Sequence, residues 1–310
     1  MATSARSPRR ARPYRHPAPS AKSLASARFT ILKTRKASYT FYLGDCLRIL
    51  PALADGSVDV IVTSPPYNLG VQYRTYDDQL PREEYLQWTN RWAAAVRTVL
   101  RAEGSLFLNV GHKPTDPWVA MDVAQAVRRH LHLQNLIHWV KSIAIDDRGM
   151  ALGHYKPINS DRFVNDCHEF IFHFTPAGRT KLDRRAIGVP YQDKSNVARW
   201  QQAADDLRCR GNAWFIPYET IQSRDKERPH PATFPPKVPE MCIKLHGLER
   251  ARLAVDPFLG LGSTAVACAR LGTSFAGIDL DRHYLKEAVE RTVRALKEIG
   301  EPFAFEDLRI

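Results

Sequence analysis

Strand and helix signals alternate along most of this 310-residue chain, and that alternation constrains the fold more than any other feature. Val58–Thr63 (Val-Asp-Val-Ile-Val-Thr) is a short β-branched run, suited to a strand buried on both faces. Arg82–Arg101 carries apolar residues at helical spacing, and the Ser-Leu-Phe-Leu-Asn-Val after Gly104 reads as the next strand. Trp118–His130 reads as helix, Asn135–Lys141 and Glu169–Thr175 as strands, Pro235–Leu245 as helix and Arg252–Asp256 as strand. Thr264–Leu271 follows as helix, Ser274–Asp279 as strand and Arg282–Ile299 as a long helix. Such spacing predicts an α/β sheet with helices on both faces. No internal repeat is visible.

The composition is ordinary for a folded protein, with 44% hydrophobic, 25% charged and 10% aromatic residues. The charge balance is not: 45 Lys+Arg stand against 33 Asp+Glu, a net of +12. Residues 1–36 hold ten of those cations, and no acidic residue precedes Asp45. Prolines and little apolar periodicity accompany them. Residues 1–37 are therefore expected to be a disordered basic arm, unable to bury enough surface to offset the entropy of ordering it. From 176 to 229, 11 cations face 7 anions in a stretch dotted with Gly, Pro, Asn and Trp. It reads as an irregular insertion between one half at 38–175 and another at 230–310. A basic balance points to an acidic partner, most economically nucleic acid. No run approaches the roughly 18 apolar residues of a membrane helix. No apolar segment follows the basic N-terminus, so a secretory signal is not expected. The cysteines lie far apart without Cys-x-x-Cys spacing, which argues against a disulfide framework or zinc knuckle and favours reduced thiols in a cytoplasm.

Two turns carry chemical signals, each directly after a strand. Asp256-Pro-Phe-Leu-Gly260-Leu-Gly262-Ser-Thr264 joins a strand to a helix, and its glycines let the backbone turn tightly and approach a ligand. The next strand ends in Asp279, an acid placed to take both ribose hydroxyls of an adenosine-type ligand. The loop departs from the dinucleotide fingerprint Gly-x-Gly-x-x-Gly and lacks the Gly-Lys-Ser/Thr of a P-loop. A nucleoside without pyrophosphate, such as S-adenosylmethionine, fits better, although a plain glycine turn accounts for the loop alone.

The second turn is Ser64-Pro65-Pro66-Tyr67. Two prolines fix φ and lack backbone N–H groups, so they present carbonyls rigidly. An amino group on a heteroaromatic ring is a poor nucleophile because its lone pair is delocalised. Acceptors gripping both N–H bonds, here the Ser64 hydroxyl and the Pro65 carbonyl, draw that nitrogen toward tetrahedral geometry. Its lone pair then points toward an electrophilic methyl. Tyr67 offers a stacking face for the base, a contact worth roughly 1–3 kcal/mol.

Together these residues resemble the amino-group DNA methyltransferases, whose signature is Asp/Asn/Ser-Pro-Pro-Tyr/Phe. The order of turn, basic insertion and glycine loop is similar to the permuted β group, in which the target recognition region lies between the catalytic and cofactor motifs. The resemblance covers about residues 39–298. It implies a Rossmann-like, mostly parallel sheet in circularly permuted order and S-adenosylmethionine as cofactor. Asp45 and Cys46 match the segment that contacts the cofactor's adenine. Asp256, Phe258, Gly260, Gly262, Ser263 and Thr264 match the loop around its methionine, and Asp279 matches the ribose acid. The segment His230–Pro235, with Phe234 and Pro235, resembles the far wall of the pocket. Ser64, Pro65, Pro66 and Tyr67 are then the catalytic residues.

In that family Ser in the first position is typical of cytosine N4 enzymes and Asp of adenine N6 enzymes. The resemblance therefore implies transfer to cytosine N4 in double-stranded DNA, with adenine N6 as the alternative. An RNA methyltransferase, or a DNA-binding protein that has lost the chemistry, are the other readings. A duplex base must be flipped out to reach such a site, and phosphate contacts offset that cost. Arg184, Arg185, Asn196, Arg199, Arg208 and Arg210 of the insertion are the candidates for DNA contact. No metal is expected, since His130, His132 and His138 straddle a helix end and a strand. The resemblance further implies a cytoplasmic protein beside the bacterial or archaeal nucleoid, a homodimer as in many group members, and either a stand-alone role or pairing with a separate restriction endonuclease.

Overall fold

Val60, Ile61 and Val62 are all fully buried, and their alternation decides how the layers form. Val60 and Val62 face one apolar cluster while Ile61 faces another, so this strand is covered on both sides. Burial contributes about 1.5–3 kcal/mol for each such side chain. The computed structural model describes residues 28–71, 74–153, 160–199, 206–217 and 233–308. In chain order the strands are β1 (Arg28–Thr34), β2 (Ser38–Leu43), β3 (Val58–Thr63), β4 (Leu100–Val110), β5 (His132–Val140), β6 (Ile143–Ile145), β7 (Met150–Leu152), β8 (His168–Thr175), β9 (Ala213–Phe215), β10 (Leu253–Asp256), β11 (Ser274–Asp279) and β12 (Phe303–Leu308). The helices are α1 (Cys46–Ile49), α2 (Arg82–Val99), α3 (Val119–Val127), α4 (Ser195–Arg199), α5 (Lys237–His246), α6 (Ser263–Leu271) and α7 (Arg282–Glu298).

Ten strands form one sheet in the order β12-β1-β2-β11-β10-β3-β4-β8-β5-β9. β2, β11, β10, β3 and β4 run parallel, and β8 then runs antiparallel between β4 and β5. Helices α1, α2 and α3 cover one face of this sheet, and α5, α6 and α7 cover the other. Two strands from the C-terminal part of the chain, β10 and β11, sit between β2 and β3 from the N-terminal part. Tertiary order is therefore permuted relative to chain order, as the order of the turns implied.

The fold shortens the expected basic arm and ties the insertion to the sheet. The basic arm expected over residues 1–37 does not extend that far: Arg28–Thr34 is β1, hydrogen-bonded to β2 on one side and β12 on the other. Phe29, Thr30, Ile31 and Leu32 are buried there, enough apolar surface to order the segment despite its cationic flank. Residues 1–27 lie outside the described residues. The insertion at 176–229 is also less separate than its composition implied. Its β9 joins the main sheet beside β5, and Ile187, Trp214 and Ile216 enter the core cluster under α5 and α6. Among the described residues no helix is long and apolar enough to cross a membrane.

Candidate active site

From β3 the chain proceeds to β4 on one side, and from adjacent β10 it proceeds to β11 on the other. Where neighbouring parallel strands diverge in this way, the loops leaving their C-terminal ends separate and open a crevice. Both chemically marked turns leave the sheet at that point. Ser64–Tyr67 follows β3, and Pro257–Gly262 follows β10. They share a cavity of about 300 Å³.

Asp256 ties the two turns together. Its carboxylate accepts hydrogen bonds from Thr63 Oγ1 (2.6 Å), Thr264 Oγ1 (2.7 Å) and the Phe258 amide (3.1 Å). Burial raises its pKa to about 6 even against those bonds. Asp279, at the end of β11, accepts from the Gly260 amide (2.8 Å) through one oxygen and from the Asp281 amide (2.8 Å) through the other. Burial pushes its pKa up to about 6 as well. Asp45 caps α1 by accepting from the Leu47 amide (2.9 Å), and burial raises the neighbouring Cys46 thiol.

Of the residues expected at the cofactor, Asp45, Cys46, Phe234, Asp256, Phe258, Gly260, Ser263 and Asp279 line the cavity. Gly262, Thr264 and Pro235 are not among its walls. Gly262 is a glycine for packing reasons. At φ 76° a Cβ would sit 2.6 Å from the Ala288 Cβ of α7, so it admits a helix instead of a ligand. Thr264 is fully buried and spends its hydroxyl on Asp256. His230, Pro231 and Ala232 lie outside the described residues.

All four residues Ser64, Pro65, Pro66 and Tyr67 line the cavity. Tyr85 of α2 donates to the Pro66 carbonyl (2.7 Å), fixing the turn from below. The Ser64 and Tyr67 hydroxyls are 2.6 Å apart. Tyr67 Oη also donates to Glu169 Oε2 of β8 (3.2 Å), and Asn109 Nδ2 of β4 donates to both Tyr67 (2.8 Å) and Glu169 (2.6 Å). Lys141 pairs with the other Glu169 oxygen. Burial alone would raise Glu169, but Lys141 and then the Asn109 and Tyr67 bonds take it below the usual carboxylate range. After Tyr67, Asn68 adopts φ 59° and the amides of Asn68, Leu69 and Val71 donate to the buried Asp78 carboxylate. That clamp sets the path of the chain leaving the turn.

Sequence reasoning missed part of the wall. Tyr76, Trp88 and Tyr284 join Tyr67, Phe234 and Phe258 as aromatic lining, and Trp88 lies 5.4 Å from Phe258 between ring centroids. Three carboxylates, Asp45, Asp256 and Asp279, complete the set, with no Lys, Arg or His among the described lining residues. A pyrophosphate would meet three acids and no cation here, whereas a cation over aromatic faces is attracted. Ser263 Oγ, at the opening of α6, is buried without a partner among the described residues and can serve a polar ligand group. The described donor set therefore fits a cationic nucleoside such as S-adenosylmethionine better than a dinucleotide or triphosphate.

The DNA-contact candidates lie elsewhere, and none of them lines the cavity. Arg184, Arg185, Arg199 and Arg208 are exposed, and Asn196 is half-buried on α4. Arg210 donates from Nε to the Ile187 carbonyl (3.0 Å), so part of its guanidinium braces its own segment. Arg208 is held through its backbone, which pairs with Val189.

Solved structures share this architecture. PvuII DNA methyltransferase (cytosine-N4-specific) superposes with a TM-score of 0.59 at 18% identity, over 84% of this chain and 92% of that one. TTHA0409 of Thermus thermophilus, complexed with S-adenosyl-L-methionine, gives 0.55 at 22% identity over 83% of this chain and 93% of its own. Both likenesses are of fold. In sequence the chain is 27% identical to the Type II methyltransferase M.HpaI of Haemophilus parainfluenzae over 247 residues, 80% of this chain and 72% of that protein. It is 29% identical to M.XycI of Xanthomonas campestris pv. cyanopsidis over 278 residues, 81% of this chain and 87% of that protein. Residues 58–290 match the family model of the N6/N4 DNA methylases, and with both marked turns inside that span the chain belongs to the DNA methylase family.

Proposed function

We propose that this protein transfers a methyl group from S-adenosylmethionine to the exocyclic N4 amino group of a cytosine flipped out of double-stranded DNA. The observation that carries the reading is the shared cavity. An acceptor turn built for an amine, Ser64–Tyr67, opens onto the same space as an aromatic and acidic pocket suited to the cofactor. When bound, the cofactor supplies a methyl on a sulfonium sulfur, an electrophile that leaves a neutral thioether behind. Asp279 would hold the ribose hydroxyls, Asp45 the adenine, and Phe258, Gly260 and Ser263 the methionine end. Ser263 begins α6, whose N-terminus has no side-chain cap and so favours a carboxylate.

On the base side, Pro66 has its carbonyl occupied by Tyr85, so the Ser64 hydroxyl and the Pro65 carbonyl are assigned to the two N–H bonds. Gripping both bonds frees the lone pair for attack. The nitrogen gains the methyl and gives up one proton to water, and Tyr67 holds the ring. Cytosine is favoured by Ser in the first position of the turn, and the cytosine-N4-specific PvuII neighbour supports that choice. The Type II methyltransferase relatives support a role as the modification half of a restriction pair. Incubating the purified protein with S-adenosylmethionine and unmodified duplex DNA, then digesting the DNA for mass spectrometry of nucleosides, tests this. N4-methyldeoxycytidine is expected. N6-methyldeoxyadenosine would overturn the base assignment, and unmodified DNA of varied sequence would overturn the enzyme.

A further inference from the structure

The Ser64 hydroxyl must act as an acceptor toward the target amine, yet a hydroxyl is equally able to donate. Its own hydrogen has to be directed elsewhere, and the residues behind the turn do this. We propose that Glu169 is a positioning residue that makes Ser64 an acceptor, acting through Tyr67. The inference rests on the methyltransferase reading above and extends it to three strands that the marked turns do not include.

The hydrogen bonds have one consistent direction. Glu169 accepts at both oxygens, from Lys141 at one and from Asn109 and Tyr67 at the other. With the carboxylate ionised, Tyr67 gives its single hydroxyl proton to Glu169. Its oxygen then accepts from Asn109 Nδ2 at 2.8 Å and, across 2.6 Å, from Ser64. The Ser64 hydrogen is thereby aimed away from the cavity, and its lone pairs face the amine. Each bond in such a chain polarises the next, so the Ser64 oxygen is a stronger acceptor than an isolated hydroxyl. The alternative direction, Tyr67 donating to Ser64, would forfeit a charge-assisted bond to a buried carboxylate.

The backbone around the relay permits this close approach. A Cβ on Gly111, just after β4, would lie 2.9 Å from Tyr67 Cε2 and 3.2 Å from Glu169 Cδ. Only a glycine leaves room for the ring and the carboxylate to meet. Lys141, just after β5, compensates the Glu169 charge through the carboxylate oxygen that Tyr67 and Asn109 do not use.

The test uses the full chain, S-adenosylmethionine and duplex DNA that the wild type methylates, with single-turnover rates measured at saturating concentrations of both. Glu169→Gln, Tyr67→Phe and the double variant are compared, together with cofactor affinity by calorimetry and a thermal melt of each. Glu169→Gln is expected to slow transfer by about 10- to 100-fold while cofactor affinity stays within about twofold. Tyr67→Phe is expected to lose a similar factor, and the double variant no more than either alone, because both interrupt one chain. If Glu169→Gln destabilises the fold by leaving Lys141 unpaired, Glu169→Gln with Lys141→Met removes both charges and is expected to show the same slow transfer. Wild-type rates in either Glu169 variant, or losses that multiply in the Glu169/Tyr67 double variant, overturn the proposal. A wild type that methylates no DNA overturns this proposal and the methyltransferase reading together.

Discussion

Asp279→Asn separates the cofactor site from the stability of the fold. In the ligand-free protein burial raises the Asp279 pKa from 3.8 to about 6, so keeping it charged at neutral pH costs about 3 kcal/mol. The sign follows from that direction. The group contributes its stability fully below about 3.8 and loses it as pH rises through about 6. Asparagine removes the charge but retains one acceptor oxygen for two amides, those of Gly260 and Asp281. Leaving a backbone N–H unpaired costs about 1–3 kcal/mol, which nearly cancels the relief. The melting temperature of the variant is therefore expected within a few degrees of wild type. Cofactor binding changes far more. Two hydroxyl bonds to a charged acceptor contribute about 1.5–3 kcal/mol each, so the affinity for S-adenosylmethionine should fall by about 100-fold or more. Wild-type affinity should also be flat above about pH 6.5 and fall about tenfold per unit below about pH 6, as the carboxyl takes up its proton. Calorimetric titration across that range checks both. Affinity that is flat down to about pH 5, or an Asp279→Asn variant that binds like wild type, would refute the reasoning.

Other outcomes follow from single contacts. Ser64→Ala should cut methyl transfer while leaving cofactor affinity nearly intact, since its contact is to the base; calorimetry showing lost affinity would contradict its role. Gly262→Ala places a Cβ 2.6 Å from Ala288 at a left-handed φ, and chemical denaturation should show a loss of about 1–3 kcal/mol or more. His173 and His246 both hydrogen-bond Ser105 Oγ at 3.0 Å in the core, and burial lowers them from 6.5 to about 3 and about 4. A lowered histidine loses stability as pH falls below its unfolded value of 6.5, about 1.4 kcal/mol for each at about pH 5.5. Denaturation curves at about pH 7 and about pH 5.5 should show that sensitivity in wild type and not in a His173→Gln/His246→Gln variant.

The elements legible in the sequence were those whose signal is local. β3 with its serine turn and β10 with its glycine loop each declare themselves within ten or so residues, by β-branched run, turn chemistry and helix start. The outer strands escaped because their reason to exist is remote. β1 is stabilised by pairing with β12, from the other end of the chain, and β9 by pairing with β5 across the insertion. The same distance effect hid part of the site. Trp88 shares a helical stripe with the fully buried Tyr85 and Trp92, so spacing alone assigns it to the core, whereas it turns its ring toward the cavity. Glu169 sits in a strand whose alternating Phe170, Phe172 and Phe174 read as simple packing. Its meaning comes from Asn109 on β4 and Lys141 just after β5. Gly262 shows the converse: its place in the loop suggests a ligand, while the packing reason for a glycine there is the remote Ala288 on α7.

The central claim is that one cavity joins a cofactor pocket to an amine-gripping turn, and following the methyl group itself tests it most directly. Duplex DNA is incubated with the wild type and S-adenosylmethionine carrying a deuterated methyl, and the digested nucleosides are analysed by mass spectrometry. The account predicts the deuterated methyl on N4 of deoxycytidine in wild type, and its near absence with Ser64→Ala protein that still binds the cofactor. Label on another atom, or equal labelling by the Ser64→Ala protein, would contradict it.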